Sequence, residues 1–367
     1  MIDLPRSTSQ VSAEWLTAAL REGGQFGPVD VAAVAVEPMA AGVGFMCEVS
    51  RLRVTYGDTG PAGPPTMIVK IPTQDASVRE VMRPARVFER EGRFYLALRD
   101  HPGLPIPRCW FSGIDVDADD FVLVLEDLAD LRVGDQLASC TPDEAADALR
   151  ALARFHATFW GNESLTSLSA WLPDINADIN KVAGTAVYAS SLPRFLEVFG
   201  ELLSPEMTAI AGRFGANSSQ LLDRAFAMPH TVTHFDFRLD NIFFAPGTPE
   251  SVRFFDFQAV ARGGAAYDVG YFLSQSLRVE DRRAHEHDLL AEYHRTLVAA
   301  GVRDYDLSAL RADVRVGIMY GWIIPVWAVG GLDVSSDRAM RLWSEVVVRA
   351  QAAITDHGTH DLFTDGG

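Results

Sequence analysis

In "HFDFRLDNIFF", residues 234–244, an Asp stands two residues after a His, an Asn stands five residues after that Asp, and apolar residues flank the group. Those flanks predict that Asp236, Arg238, Asp240 and Asn241 are at least half buried, and buried charge is costly unless it is paired or bound to a cation. Further on, Asp256 closes a second apolar run, "FFDFQ". An amide and two carboxylates at successive strand ends make an oxygen-rich set suited to Mg²⁺. A D-x-x-x-x-N spacing alone is usually a solvated turn, so the second carboxylate carries much of the argument.

The N-terminal part offers groups for the opposite side of the same chemistry. Lys70 interrupts the apolar strand "MIVKIP", where a lysine needs a partner. The following stretch "FEREGRFY" supplies Glu91 as that partner, with Glu89 the rival one register away. Gly42 and Gly44, in "MAAGVGFMCEV", lie between two apparent strands; a lone G-x-G is more often a plain hairpin. In chain order, however, the glycine loop, Lys70, Glu91, Asp236, Asn241 and Asp256 are the parts that phosphoryl transfer on a kinase-type scaffold requires.

Elements must hold these groups in place. Residues 11–22 read as an amphipathic helix capped by Ser12. "VDVAAVAVEPM", "CEVSRLRVTY" and "PTMIVKIP" read as a strand meander punctuated by Gly and Pro turns. A single helix is expected over about 78–99, then two strands in "PRCWFSGID" and "FVLVLEDL". From Thr141 and Pro142 the texture turns helical, interrupted only by short strands around "HFDFRLDNIFF" and "SVRFFDFQAV". The expected fold class is α+β, with a nucleotide-binding lobe over 1–128 and a helical catalytic and substrate lobe over 129–367.

At 367 residues, 48% hydrophobic and 22% charged, the chain has the composition of a well-cored globular protein. A net charge of −17 argues against nucleic-acid binding, which needs a basic face. Cys47, Cys109 and Cys140 suggest neither a disulfide framework nor a zinc site, and they fit a reducing cytoplasm. "MIDLPRSTSQ" lacks the basic and apolar regions of a secretory signal. The apolar stretch 316–332 contains Pro325 and follows Arg315, which points to a buried helix pair and not to a membrane span.

Over roughly residues 38–345 the sequence resembles the aminoglycoside-phosphotransferase and choline-kinase-like superfamily, most closely its ecdysteroid-kinase-like branch. The resemblance rests on "GVGFMCEV", "VKIP", "FEREGRFY", "LVLEDL", "HFDFRLDNIFF" and "FFDFQAVARGGAAYDVGYFL". It implies a two-lobed, protein-kinase-like fold with ATP in the cleft. By that resemblance Asp236 is the catalytic base or hydroxyl-orienting group, and Asn241 and Asp256 are Mg²⁺ ligands. Gly42 and Gly44 cover the phosphates, Lys70 grips the α/β-phosphates and Glu91 fixes it. The backbone around Glu126, Asp127 and Leu128 receives adenine. Asp268 fixes the catalytic loop, and His156 is structural. Two positions depart from the pattern: Phe235 stands where relatives usually carry Gly, and Cys47 occupies the place of a third loop glycine. Arg238 either neutralises transferring phosphate or pairs with Asp240, with the pairing favoured.

The expected function is therefore ATP- and Mg²⁺-dependent phosphorylation of a small-molecule hydroxyl. No activation-loop ending of the A-P-E type follows "DFQ", which disfavours a protein substrate. A catalytically silent nucleotide-binding module is the rival, opposed by the intact Lys70, Asp236, Asn241 and Asp256. For the acceptor, the informative segments are 170–196 and 320–331, where Tyr320, Trp322 and Trp327 surround Pro325. Their acidic residues are only Asp174 and Asp178, so an apolar or ring-bearing alcohol is expected in preference to a polycationic aminoglycoside.

Overall fold

Alternating burial along the strand Thr66–Pro72 turns Met67, Val69 and Ile71 into one core and leaves Lys70 on the other face of the sheet. A computed structural model describes residues 2–39, 46–58, 60–98, 101, 103–161, 163–245, 252–331 and 334–363. The chain forms two units, Met1–Asp130 with Phe255–Ala259, and Leu131–Phe254 with Val260–Gly367.

The first unit contains α1 (Ala13–Gly23), β1 (Val31–Pro38), β2 (Cys47–Tyr56), β3 (Thr66–Pro72), α2 (Ala76–Met82), α3 (Val87–Leu98), β4 (Cys109–Asp115) and β5 (Asp120–Glu126). Its five strands form an antiparallel sheet in the order β1-β2-β3-β5-β4. Ser12 caps α1, accepting from the N–H of Trp15. The apolar side of α1, with Leu16 and Leu20, packs on Leu52, Met67, Val69, Val122 and Val124. The helix expected over 78–99 is broken in two. Pro84 lacks the N–H that a continuous helix needs, and Arg86 turns left-handed at φ 53°. The break starts α3 afresh and buries Phe88, Glu91, Phe94 and Tyr95.

The unit boundary also departs from the expected division at 128/129. Residues 255–259, assigned by sequence to the helical lobe, belong to the first unit. The cause is packing: Phe257 stacks on Phe94 at 3.7 Å and 16°, and meets Tyr95 edge-on at 5.9 Å. Asp256 therefore belongs with Lys70 and Glu91.

The second unit contains β6 (Arg132–Val133), α4 (Pro142–Thr158), α5 (Glu163–Leu168), α6 (Asp178–Phe199), α7 (Pro205–Ala227), β7 (His230–Thr233), β8 (Ile242–Phe244), β9 (Arg253–Phe254), β10 (Ala261–Gly264), α8 (Ala266–Ser276), α9 (Val279–Ala299), α10 (Leu307–Tyr320), α11 (Ile323–Gly331) and α12 (Asp337–Asp356). Thr141 and Glu144 form a reciprocal capping box at the start of α4. Strand β7 pairs antiparallel with β10, and β6, β8 and β9 form a small sheet. Every residue of α8 is buried. Glycines let α10 cross it closely: a Cβ at Gly270 would meet the Val314 carbonyl at 2.1 Å, and one at Gly317 would meet that of Tyr267 at 2.2 Å. The stretch Leu307–Gly331 is long and apolar enough to cross a membrane, yet 72% of its most apolar window is buried within the fold. It breaks at Gly321 and Trp322 into α10 and α11, a buried helix pair.

Candidate active site

In the first unit, Lys70 is the hinge of an ion-pair cluster. Its Nζ lies 2.7 Å from Glu91 Oε2 and 2.9 Å from Oε1, and 2.9 Å from Asp256 Oδ1. Glu91 is 1% exposed, while the Lys70 and Asp256 side chains retain 12% and 29%. The pair is thus anchored at its buried end and reachable at the other. The rival, Glu89, is taken by Arg86 and Arg93. Burial pushes the Glu91 carboxyl up to about 7 against the pull of Lys70. Burial also works against the Lys70 charge, but Asp256 and Glu91 outweigh it and hold the ammonium well above its usual range. Asp256 itself adopts a left-handed backbone, φ 69°, uncommon outside glycine.

Cys47 begins β2, and its Sγ accepts from Gln258 Nε2 at 3.1 Å. Burial pushes this thiol up, away from thiolate reactivity. Gly42 and Gly44 lie outside the described residues. At the end of β5, the Glu126 N–H donates to the Arg108 carbonyl, and Asp127 pairs with Arg51 at 2.7 Å. Asp127 and Leu128, directly after this strand, are half-buried.

In the second unit, the loop between β7 and β8 is held from several sides. Asp268, in the first turn of α8, accepts the backbone N–H groups of His234 at 2.7 Å and Phe235 at 2.9 Å. Its Oδ2 also meets His156 Nε2 at 3.1 Å, and His156 Nδ1 meets the Tyr293 hydroxyl at 2.7 Å. From the far end of the loop, the Gln136 side chain accepts from the Leu239 N–H at 2.9 Å and donates to the Gln275 carbonyl at 2.8 Å. Arg349 in turn donates to the Gln136 carbonyl at 2.7 Å.

So positioned, the Asp236 carboxylate collects three donors. Tyr271 Oη donates to Oδ1 at 3.1 Å; Asn241 Nδ2 and Arg238 Nε reach Oδ2 at 3.0 and 3.4 Å. Burial, with the nearby Asp236 charge, keeps the Tyr271 phenol protonated and therefore a donor. Arg238 also pairs with Asp240 at 2.8 Å, so the expected pairing is joined by a contact to Asp236. The Asp236 side chain remains 30% exposed, open to an incoming group.

Mg²⁺ takes hard oxygen ligands and usually completes its shell with phosphate and water, so one or two protein oxygens suffice. Asn241, directly before β8, points Nδ2 at Asp236, and its Oδ1 makes no hydrogen bond with a described residue. Asp256, two residues beyond β9, offers a partly exposed carboxylate. Both fit the ion chemically. Among the described residues no three His, Cys, Asp or Glu side chains gather as a metal cluster.

Sequence reasoning missed Tyr271, Gln136 and Arg349. Tyr271 had a visible signal, standing one helical turn after Asp268 in "YDVGYF". Gln136 and Arg349 act across more than a hundred residues and gave none. The expected acceptor wall needs correction. Trp322 is fully buried, donates Nε1 to the Tyr188 hydroxyl at 3.0 Å and meets Phe195 edge-on, so it is core. Asp174 is paired with Arg262 at 2.5 Å.

A family model described as the ecdysteroid kinase-like family matches residues 41–303. An uncharacterised kinase-like protein of Caenorhabditis elegans is 26% identical over 202 residues, 53% of this chain and 52% of that protein. The chain thus spans about half the length of this curated relative. A structure from Ralstonia eutropha, described as a candidate aminoglycoside phosphotransferase, is similar at TM-score 0.55 and 16% identity, over 94% of this chain and 98% of that one. Choline kinase of Cryptosporidium parvum is similar at TM-score 0.52 and 11% identity, over 89% and 91%. At such identities the structural likeness establishes the two-lobed kinase-like fold alone.

Proposed function

The chain belongs to the ecdysteroid kinase-like family, and from that premise we propose that it is an ATP- and Mg²⁺-dependent O-phosphotransferase acting on a hydroxyl of a small molecule. The reading rests above all on Lys70, whose ammonium is held within 2.9 Å of both Glu91 and Asp256 while part of its side chain stays open. Phosphoryl transfer spreads negative charge over the phosphoryl oxygens, so it needs positioning and neutralisation more than covalent chemistry.

In this proposal the first unit binds nucleotide. Lys70 pairs with its α/β-phosphates, Glu91 keeps the ammonium in place, and the backbone of Glu126, Asp127 and Leu128 takes the adenine. Gly42 and Gly44 cover the phosphates. Asn241 Oδ1 and the Asp256 carboxylate would hold Mg²⁺, which when bound neutralises and orients the phosphates. The second unit takes the acceptor. Asp236 orients the alcohol and accepts its proton as the new O–P bond forms and the bond to ADP breaks. Tyr271, Asn241 and Arg238 fix the carboxylate for that task. The enzyme works in a reducing cytoplasm, which keeps the thiols of Cys47, Cys109 and Cys140 out of disulfides.

Acceptor-dependent ADP release tests the proposal, measured over a broad panel of hydroxyl compounds. EDTA should abolish it, and a folded Asp256→Ala variant should lose on the order of 10³ in rate. Full activity in that variant would overturn the assignment.

A further inference from the structure

Phe235 is the most unusual residue of the loop that carries Asp236. Its φ is 68°, a left-handed conformation that a bulky side chain adopts only under constraint. The constraint is visible: its N–H is held by Asp268 at 2.9 Å. Strain maintained in this way, one residue from the held carboxylate of Asp236, marks a position where the side chain itself is needed.

The ring of Phe235 is half-buried and packs against Tyr267, centroids 4.8 Å apart, and lies nearly parallel to Tyr320, 22° and 6.1 Å. Tyr320 continues the column to Phe214 at 6.1 Å. A second observation concerns oxygen. Tyr267 and Tyr320 are only 1% and 3% exposed, yet neither hydroxyl makes a hydrogen bond with a described residue. Buried phenols normally find a partner. Burial holds both protonated, so both are donors in search of an acceptor.

We propose that Phe235 is the residue that selects the acceptor, its ring receiving a flat apolar face of the alcohol while the Tyr267 and Tyr320 hydroxyls donate to an oxygen elsewhere on the same molecule. The proposal rests on the reading of Asp236 as the group that orients the acceptor hydroxyl. Aromatic packing rewards a ring or fused carbon frame. The unsatisfied phenols penalise a frame that lacks a second oxygen. A polycationic acceptor gains from neither, and Asp174 is already neutralised by Arg262.

Binding can be read without turnover. The probes are 2-phenylethanol, 2-(4-hydroxyphenyl)ethanol and kanamycin, titrated by ligand-observed NMR into the full-length protein, with ATP consumption followed in parallel samples. The wild type should bind both phenyl alcohols, the hydroxylated one more tightly, and bind kanamycin weakest. Phe235→Gly should weaken both phenyl alcohols about tenfold or more, and Phe235→Asn, which also tolerates the left-handed backbone, should do the same if the glycine variant melts early. Tyr267→Phe with Tyr320→Phe should remove the preference for the hydroxylated probe and leave 2-phenylethanol unchanged. The proposal is overturned if the phenyl alcohols bind wild type and folded Phe235 variants alike, or do not bind wild type. Binding that follows these expectations without any ATP consumption would instead count against the kinase reading alone.

Discussion

Lys70 shows how a largely buried side chain can keep its charge. Three oxygens surround its ammonium, two from Glu91 and one from Asp256, so the cost of taking the charge out of water is offset locally. Glu91 bears the opposite burden. Burial raises its carboxyl to about 7 from an ordinary 4.5. A carboxyl raised on folding contributes its full stability below about 4.5 and loses it as pH climbs through about 7. Glu91→Gln cannot titrate, so the wild type should lose melting temperature relative to this variant between about pH 5 and pH 7.5, then run parallel to it. A difference that does not change with pH would contradict the account. At this scale much was legible: a lysine in an apolar strand asks for a carboxylate, and the choice between Glu89 and Glu91 was already narrowed to two. What sequence could not give was the tertiary grip on Asp236. Tyr271 reaches its carboxylate from a helix, and Gln136 holds the same loop at Leu239 from another loop; both approaches depend on packing, which no local spacing encodes.

Helix α8 links residues to their setting. It carries Asp268, which fixes the loop backbone, and Tyr271, which fixes the Asp236 carboxylate. Its position depends on the close crossing with α10 at Gly270 and Gly317. Gly270→Ala would drive a Cβ into the Val314 carbonyl, so the helices must separate, at a cost of about 1–3 kcal/mol. The variant should melt several degrees lower and lose more kcat than nucleotide affinity, because Asp236 loses its supports while Lys70 keeps Glu91. An unchanged melting temperature would show that the crossing is not needed. Strands and helix caps were the readable elements, since alternation in β3 and the Thr141 capping box declare themselves locally. The break between α2 and α3 was missed although Pro84 stood in the sequence, because the flanking apolar pattern runs through it.

For the whole molecule, the return of residues 255–259 to the first unit means that neither unit is one continuous piece of chain. Phe257 fills a place against Phe94 and Tyr95 that residues 1–130 alone would leave empty. Loss of such a ring costs about 3–5 kcal/mol. A fragment of residues 1–130 should therefore unfold broadly and at low temperature, whereas cooperative melting matching the full chain would show that Phe257 matters little. This division was hidden from sequence because "FFDFQ" reads equally well as the end of a strand in either unit. The family and the fold were visible in a few motifs, while the acceptor, which no shared motif encodes, was not. The proposed role of Asp236, directing phosphoryl transfer to an alcohol, is read out by phosphate-ester formation followed by ³¹P NMR. With an acceptor identified from the panel, wild type should form the ester, and Asp236→Asn should slow it on the order of 10³-fold with ATP affinity unchanged; ester formation at the wild-type rate by a folded Asp236→Asn variant would contradict the account.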